Sequence, residues 1–372
     1  MFEKKFLAAA VVGAFALPGI LLAADPPKSA IPTLDQVLDA SGVSLNGYID
    51  AGYEYSDKEP TDRVFDNKRN SFDLHQVGLT VAKQPKEGFG GLVNITAGSD
   101  ASVIHSAPES AVADSSKFDL TQAYVQYATG ALTVIGGKFV TLAGTEVIAS
   151  PSNNNISRSI LFGAVPFTHT GLRATYALND KVSLTGGLNN GWDQVQDDNR
   201  QKTVELGVGL TPIKPLAVNF TGYFGSEPTG ATTSANRSLF NIVATWTMSD
   251  ALSFGGEYLD VKQDEAGGPG SSSAKYSGVA GYVTYMLTDK WRLAGRVEWF
   301  KDTDGVHFPI PGGVQGTKFT EGTVTLAYLA AKNTEIRGEL RSDKASDAFF
   351  NDGNGTLSKT MYSVGVQGIY KF

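Results

Sequence analysis

The residues able to do bond-making chemistry are few and far apart. Four histidines, His75, His105, His169 and His307, show no H-E-x-x-H or comparable metal-ligand spacing. The chain has no G-x-x-x-x-G-K-[ST] phosphate loop, so ATP-driven work within it is not expected. Asp302-x-Asp304-Gly305 and Asp352-x-Asn354-Gly355 begin like calcium loops, but neither reaches the closing glutamate of an EF-hand, and ordinary turn chemistry accounts for both. With no cysteine, disulfides and lipoprotein attachment are excluded. Neither an enzyme nor a cofactor is expected.

What does recur is charge at every second residue. Arg292, Arg296 and Glu298 fall in one segment and Glu335, Arg337, Glu339 and Arg341 in another. A two-residue step puts each set on one face of an extended strand. Applied along the chain, the rule gathers seven bases (Lys138, Arg173, Arg292, Arg296, Arg337, Arg341, Lys371) and seven acids (Asp50, Glu54, Glu205, Glu257, Glu298, Glu335, Glu339) on one side. Charges lining an aqueous passage act on solutes through their field, and equal numbers of both signs argue against strong ion selectivity. Glu146 and Arg158 lie in the connection 142–168, the longest in the chain. If it folds inward, Glu146 faces the arginines and sets a field across a constriction. The alternative is that the arginines pair with Glu298, Glu335 and Glu339 beside them.

Charges can share a face in this way only if the chain is built of strands. From Val43 onward it divides into segments of about ten to thirteen residues, enough for a tilted strand to cross a bilayer. Strands are placed at 43–55, 71–83, 88–100, 117–129, 131–141, 169–178, 181–191, 200–211, 215–226, 237–248, 251–262, 275–287, 290–302, 317–329, 333–343 and 359–372. In the last, Tyr362, Val364, Val366, Tyr370 and Phe372 alternate with Ser363, Gly365, Gln367 and Lys371, Ile369 being the exception. One face suits lipid and the other water. Connections alternate between short, such as Gln84-Pro85-Lys86-Glu87, Asn179-Asp180 and Thr288-Asp289, and long, at 56–70, 101–116, 142–168, 227–236, 263–274, 303–316 and 344–358. A soluble sandwich has no reason to sort its loops so regularly. Tight periplasmic turns and long extracellular loops define an all-β, transmembrane, antiparallel up-and-down β-barrel, here of about 16 strands. Trp291 and Trp299, eight residues apart on one strand face, fit one aromatic girdle each.

Targeting signals agree. Lys4 and Lys5 precede the uncharged stretch Phe6–Ala24, which reads as a secretory signal peptide over residues 1–24. Residues 25–42 form a periplasmic lead-in in which Thr33-Leu34-Asp35-Gln36 fits the capping box of a short helix, and the barrel occupies 43–372. Beyond the leader no stretch approaches the roughly 18 to 20 apolar residues of a membrane-spanning helix. Mean hydropathy of -0.12 suits a barrel, since only half of each strand meets lipid. A net charge of -7 argues against a nucleic-acid partner, which needs a basic face.

Several stretches also carry a resemblance. FDNKRNSFDLHQVGLTVAKQ (65–84), GFGGLVNITAGSDAS (88–102), DLTQAYVQY (119–127), GGKFVTLAGTEVI (136–148), NNNISRSILFG (153–163), PFTHTGLRATYAL (166–178) and GLNNGWD (187–193) resemble the OmpL-like β-barrel porin family, most densely over the first half of the mature chain. The resemblance implies a barrel of the Gram-negative outer membrane with pore character. The final Phe372 resembles the signal read by the outer-membrane assembly machinery, which with membrane lipid is then a partner. It also allows a homo-oligomer, a trimer. The function expected is a porin, a passive aqueous channel for small hydrophilic solutes narrowed by loop 142–168, with Glu146, Arg158, Arg173, Arg292, Arg296, Arg337 and Arg341 at the pore. The alternative is a structural or adhesive barrel whose extracellular loops bind a partner.

Overall fold

Side chains that alternate between lipid-compatible and water-compatible types satisfy both solvents only in a sheet. In hydrocarbon that sheet must close, because each unpaired backbone group there costs several kcal/mol. The computed structural model describes residues 31–107, 116–230, 233–266, 268–308 and 316–372; the leader at 1–24 lies outside them. Sixteen antiparallel strands close into one barrel. In chain order the strands are β1 (Ser44–Ser56), β2 (Asn70–Lys83), β3 (Gly88–Ala97), β4 (Phe118–Thr129), β5 (Leu132–Val140), β6 (Thr168–Asn179), β7 (Val182–Asn189), β8 (Thr203–Ile213) and β9 (Leu216–Gly230). There follow β10 (Thr233–Thr247), β11 (Leu252–Gln263), β12 (Ala274–Thr288), β13 (Trp291–Asp302), β14 (Thr317–Ala331) and β15 (Thr334–Ala345). A small hairpin, β16 (Phe350–Asn351) with β17 (Leu357–Ser358), stands outside the barrel, and β18 (Thr360–Lys371) completes it.

Closure is made by β1 and β18, in register from Tyr48 opposite Lys371 to Ser56 opposite Ser363. Gly47 and Phe372 extend the ladder by exchanging two backbone hydrogen bonds of 2.8 Å. The Phe372 ring lies across Gly47, where any Cβ would overlap it. On β18 the outward Tyr362, Val364 and Val366 are exposed, whereas Gln367 and Ile369 are buried inward. Trp291 and Trp299 are both exposed on the outer face of β13.

Ahead of the barrel a helix, α1 (Leu34–Ser41), starts at Thr33, whose Oγ1 accepts from Gln36 N while Gln36 Oε1 accepts from Thr33 N. It ends at Gly42, whose φ of 67° is the left-handed conformation that favours glycine.

The sheet departs from the sequence pattern in two places. The long connection expected at 227–236 is absent: β9 continues to Gly230 and β10 resumes at Thr233, still paired. Beyond the apolar band both faces of a hairpin meet water, so a strand there carries no alternation and reads as a loop. The inner face is also not uniformly polar. Tyr223, Leu239, Leu259, Val261, Tyr276, Phe300, Phe319 and Met361 are buried on inward positions, forming a core with Ile160, Leu161 and Val165.

The two faces predict a sharp asymmetry. Val366→Lys, on the lipid side, should destabilise by about 2 to 4 kcal/mol near the bilayer midplane. Asn219→Lys should be nearly neutral, because Asn219 is exposed on the same inward face of β9 as Thr221 and Tyr223. Urea unfolding from lipid vesicles measures both; equal losses would contradict the face assignment.

Candidate functional site: the inward loop and the lumen wall

A segment crossing the interior of a barrel has no neighbouring strand, so its backbone N–H and C=O groups must find side chains or water. Residues 141–167, between β5 and β6, are in this position. Wall carboxylates meet their N–H groups. Glu257 on β11 accepts from Thr145 N at 2.9 Å. Glu298 on β13 accepts from Ile160 N and Leu161 N at 2.8 and 2.7 Å. Glu339 on β15 accepts from Ile156 N and Ser157 N at 2.6 and 2.9 Å. Wall arginines meet carbonyls: Arg296 donates to Ser157 O at 2.8 Å, Arg341 to Arg158 O at 2.5 Å, and Arg337 to Ser150 O and Asn155 O at 3.4 Å. On β2, Gln76 accepts from Ser150 N and donates to Ile148 O.

Local sequence prepares the loop for this. Ser159 caps the single turn α2 (Ile160–Gly163) by accepting from Phe162 N at 3.0 Å. The Glu298 carboxylate meets the two free N–H groups at its start, where negative charge is favoured. Ile160 and Leu161 then enter the apolar core against Phe300 and Phe319.

The predicted residues fall into two groups. Glu146 does not oppose the arginines across water: its Oε1 lies 2.7 Å from Arg296 Nη1 and its Oε2 accepts from Ser159 N at 2.6 Å. Arg296 also holds Glu321 at 3.1 Å, Arg341 pairs with Asp343 at 2.7 Å, and Arg337 pairs with Glu335 at 2.7 Å. Arg158 is buried, donating to the carbonyls of Val147, Ile148 and Ile156 within the loop, with its guanidinium over the rings of Phe65 and Phe162. Arg292, deeper in the barrel, bonds Glu335. Arg173 stands apart on β6, held by both oxygens of Glu205 and stacked on Phe139. Phe372 is exposed beside the closure of the barrel.

The charge balance read from alternation does not hold. Among the described residues fifteen carboxylates and five arginines are buried. Alternation also applies to Glu227, Asp302, Glu321 and Asp343, which sit inward near the extracellular strand ends. Much of the excess is met by N–H dipoles rather than by cations. Asp302 accepts from Val306 N, His307 N and Phe308 N, and Glu54 accepts from Lys68 N. Asp352 likewise accepts from Asn354 N and Thr356 N of its own turn.

Sequence reading missed two clusters because their members come from distant segments. His75 lies 3.1 Å from Glu54 and 3.5 Å from Asp100. Arg63, in the first extracellular loop, holds Asp343 at 2.5 Å and also Asp62 and Asp66. Buried beside the Asp343 carboxylate, Asp62 has its pKa pushed up to about 8, burial being the larger cause and Asp343 the next.

Residues 42–372 match the family model described as putative beta-barrel porin-2, OmpL-like. The chain belongs to this porin family. The outer-membrane channel DcaP of Acinetobacter baumannii is similar in structure, with a TM-score of 0.62 at 11% identity over 89% of this chain and 97% of that one. OprB of Pseudomonas putida gives 0.63 at 13% identity over 90% and 96%. The trimer form of OmpT, an outer-membrane protein of Vibrio cholerae, gives 0.58 at 16% identity over 89% and 99%. At these identities the likeness is one of fold. No curated protein matches the sequence. The porin barrel is accordingly an outer-membrane barrel.

Two expectations follow from the loop's anchors. Arg296→Met leaves Glu146 buried without its cation and Glu321 with only Arg341 at 3.5 Å, and should cost roughly 3 to 5 kcal/mol, measured by urea unfolding, with the loop becoming cleavable by protease. For Asp62, the folded state holds a proton that the unfolded chain releases above the ordinary carboxylate range. Stability therefore falls as pH rises from about 4 toward about 8. Asp62→Asn should remove that part of the decline, leaving a flatter unfolding midpoint between those pH values; an unchanged slope would assign the decline to other groups.

Proposed function

We propose that the chain is a passive outer-membrane channel for small hydrophilic solutes, exported with loss of residues 1–24 and narrowed by its inward loop, and that it is not an enzyme. The observation that supports this most directly is the anchoring of the loop backbone to Glu257, Glu298 and Glu339 on three wall strands. Sixteen strands enclose an open lumen unless something fills it, and a loop held at this depth reduces the bore without sealing it. Membership of a porin family supports the channel reading over an adhesive barrel. Assembly as a trimer, recognition of Phe372 by the assembly machinery, and contact with membrane lipid along the exposed apolar face complete the proposal.

Purified protein in planar bilayers should give discrete, stable openings. Deleting residues 150–160, which removes the Ser150, Ile156 and Ser157 anchors, should raise single-channel conductance severalfold while the barrel still inserts. Silence from the intact protein would favour a structural or adhesive barrel. Unchanged conductance after the deletion would place the loop outside the conducting path.

A further inference from the structure

The inward loop does not divide the lumen evenly. Its anchors are on β9 to β15 and β2, and on the β10 to β14 side its apolar residues are packed solid against the wall. On the opposite side a cavity of about 180 Å³ remains between the loop and the wall formed by β1 and β3 to β5. At roughly 30 Å³ per water it holds about six waters, the scale of one small solute.

The two walls of this cavity differ in kind. The barrel side presents Asn94, Thr96, Thr121 and Gln122, all neutral and hydrogen-bonding, while the loop side presents Val147, Ile148, Phe162 and Phe167. Thr121 is satisfied by Thr96 at 2.8 Å. Asn94 donates to Leu79 O and Thr80 Oγ1, leaving its Oδ1 as an acceptor; Gln122 Oε1 accepts from Val140 N, leaving its NH₂ as a donor. The one charged lining residue, Glu146, has both oxygens taken by Arg296 and Ser159 N. Glu257, Glu298, Glu339, Arg296, Arg337 and Arg341 lie behind the loop, engaged with its backbone, while Arg173 pairs with Glu205 and Asp119 on β4 pairs with Lys138 at 3.6 Å.

We propose that solutes cross through this slot, and that it selects small uncharged molecules with hydrogen-bonding groups on one side and an apolar face on the other, rather than ions. The inference rests on the channel reading and names its route and solute class. An ion entering a narrow neutral slot sheds water without meeting a compensating charge, whereas a polyol exchanges water for amide and hydroxyl groups.

Because the chain has no cysteine, a single introduced thiol is the only one in the protein. In liposome swelling, an uncharged methanethiosulfonate reagent on Gln122→Cys, or on Asn94→Cys as a second probe of the same wall, should reduce the rate of glucose entry to half or less. The same reagent on Thr284→Cys, on the β12 wall beside Asn154 of the loop, should leave it unchanged. In liposome swelling, glucose should enter at least tenfold faster than gluconate or glucosamine. Glucose entry that survives modification at both 122 and 94, or that is blocked at 284, overturns the route. Charged sugars entering as fast as glucose overturn the solute class. An intact protein with no conductance and no glucose entry instead overturns the channel reading itself, and the slot with it.

Discussion

A backbone that leaves its sheet inside a barrel must have every N–H and C=O satisfied by something other than a strand, and most of this interior follows from that requirement. The charged side chains of the wall supply the missing partners, carboxylates for N–H groups and guanidinium groups for carbonyls. Each bond to a charged group is stronger than one between neutral groups, and Glu298 and Glu339 each take two successive N–H groups. The loop is thereby held by side chains in the way an additional strand would be held by a ladder.

This use of charge gives an interior with more buried acids than buried arginines partners for much of its excess. Register places Glu298, Glu321 and Asp343 in one row across β13 to β15, and Arg296 and Arg341 in the next row toward the periplasm. Rows of opposite sign neutralise each other locally, and the residual negative charge faces N–H dipoles of the loops. A buried acid with no such partner would be costly. Glu146, Glu298, Glu339, Arg296 and Arg341 are consequently engaged where loop and wall meet.

Legibility in the sequence followed the distance between partners. The strands could be read because alternation is a local property tied to lipid on one side, and sixteen were placed with boundaries mostly within a few residues. The helix at Leu34–Ser41 was legible for the same reason, Thr33 and Gln36 being three residues apart. The seat of the loop was not. Thr145 meets Glu257, 112 residues later, and Ile156 meets Glu339, 183 residues later, and no pattern near either residue marks the other. The buried tyrosine and phenylalanines of the inner face, such as Tyr276, Phe300 and Phe319, break the polar rule because they serve the loop and not the water.

The same separations set an order of events. Ile156 and Glu339 are 183 residues apart, and Glu339, Arg337 and Arg341 stand on β15, between β14 and β18. Contacts so distant in sequence form late, after the entropy of closing long loops has been overcome. The seat of the inward loop is therefore among the later contacts of the interior to form. Until then the carboxylates of Glu257, Glu298 and Glu339 have only water in place of the N–H groups that the seated loop brings to them.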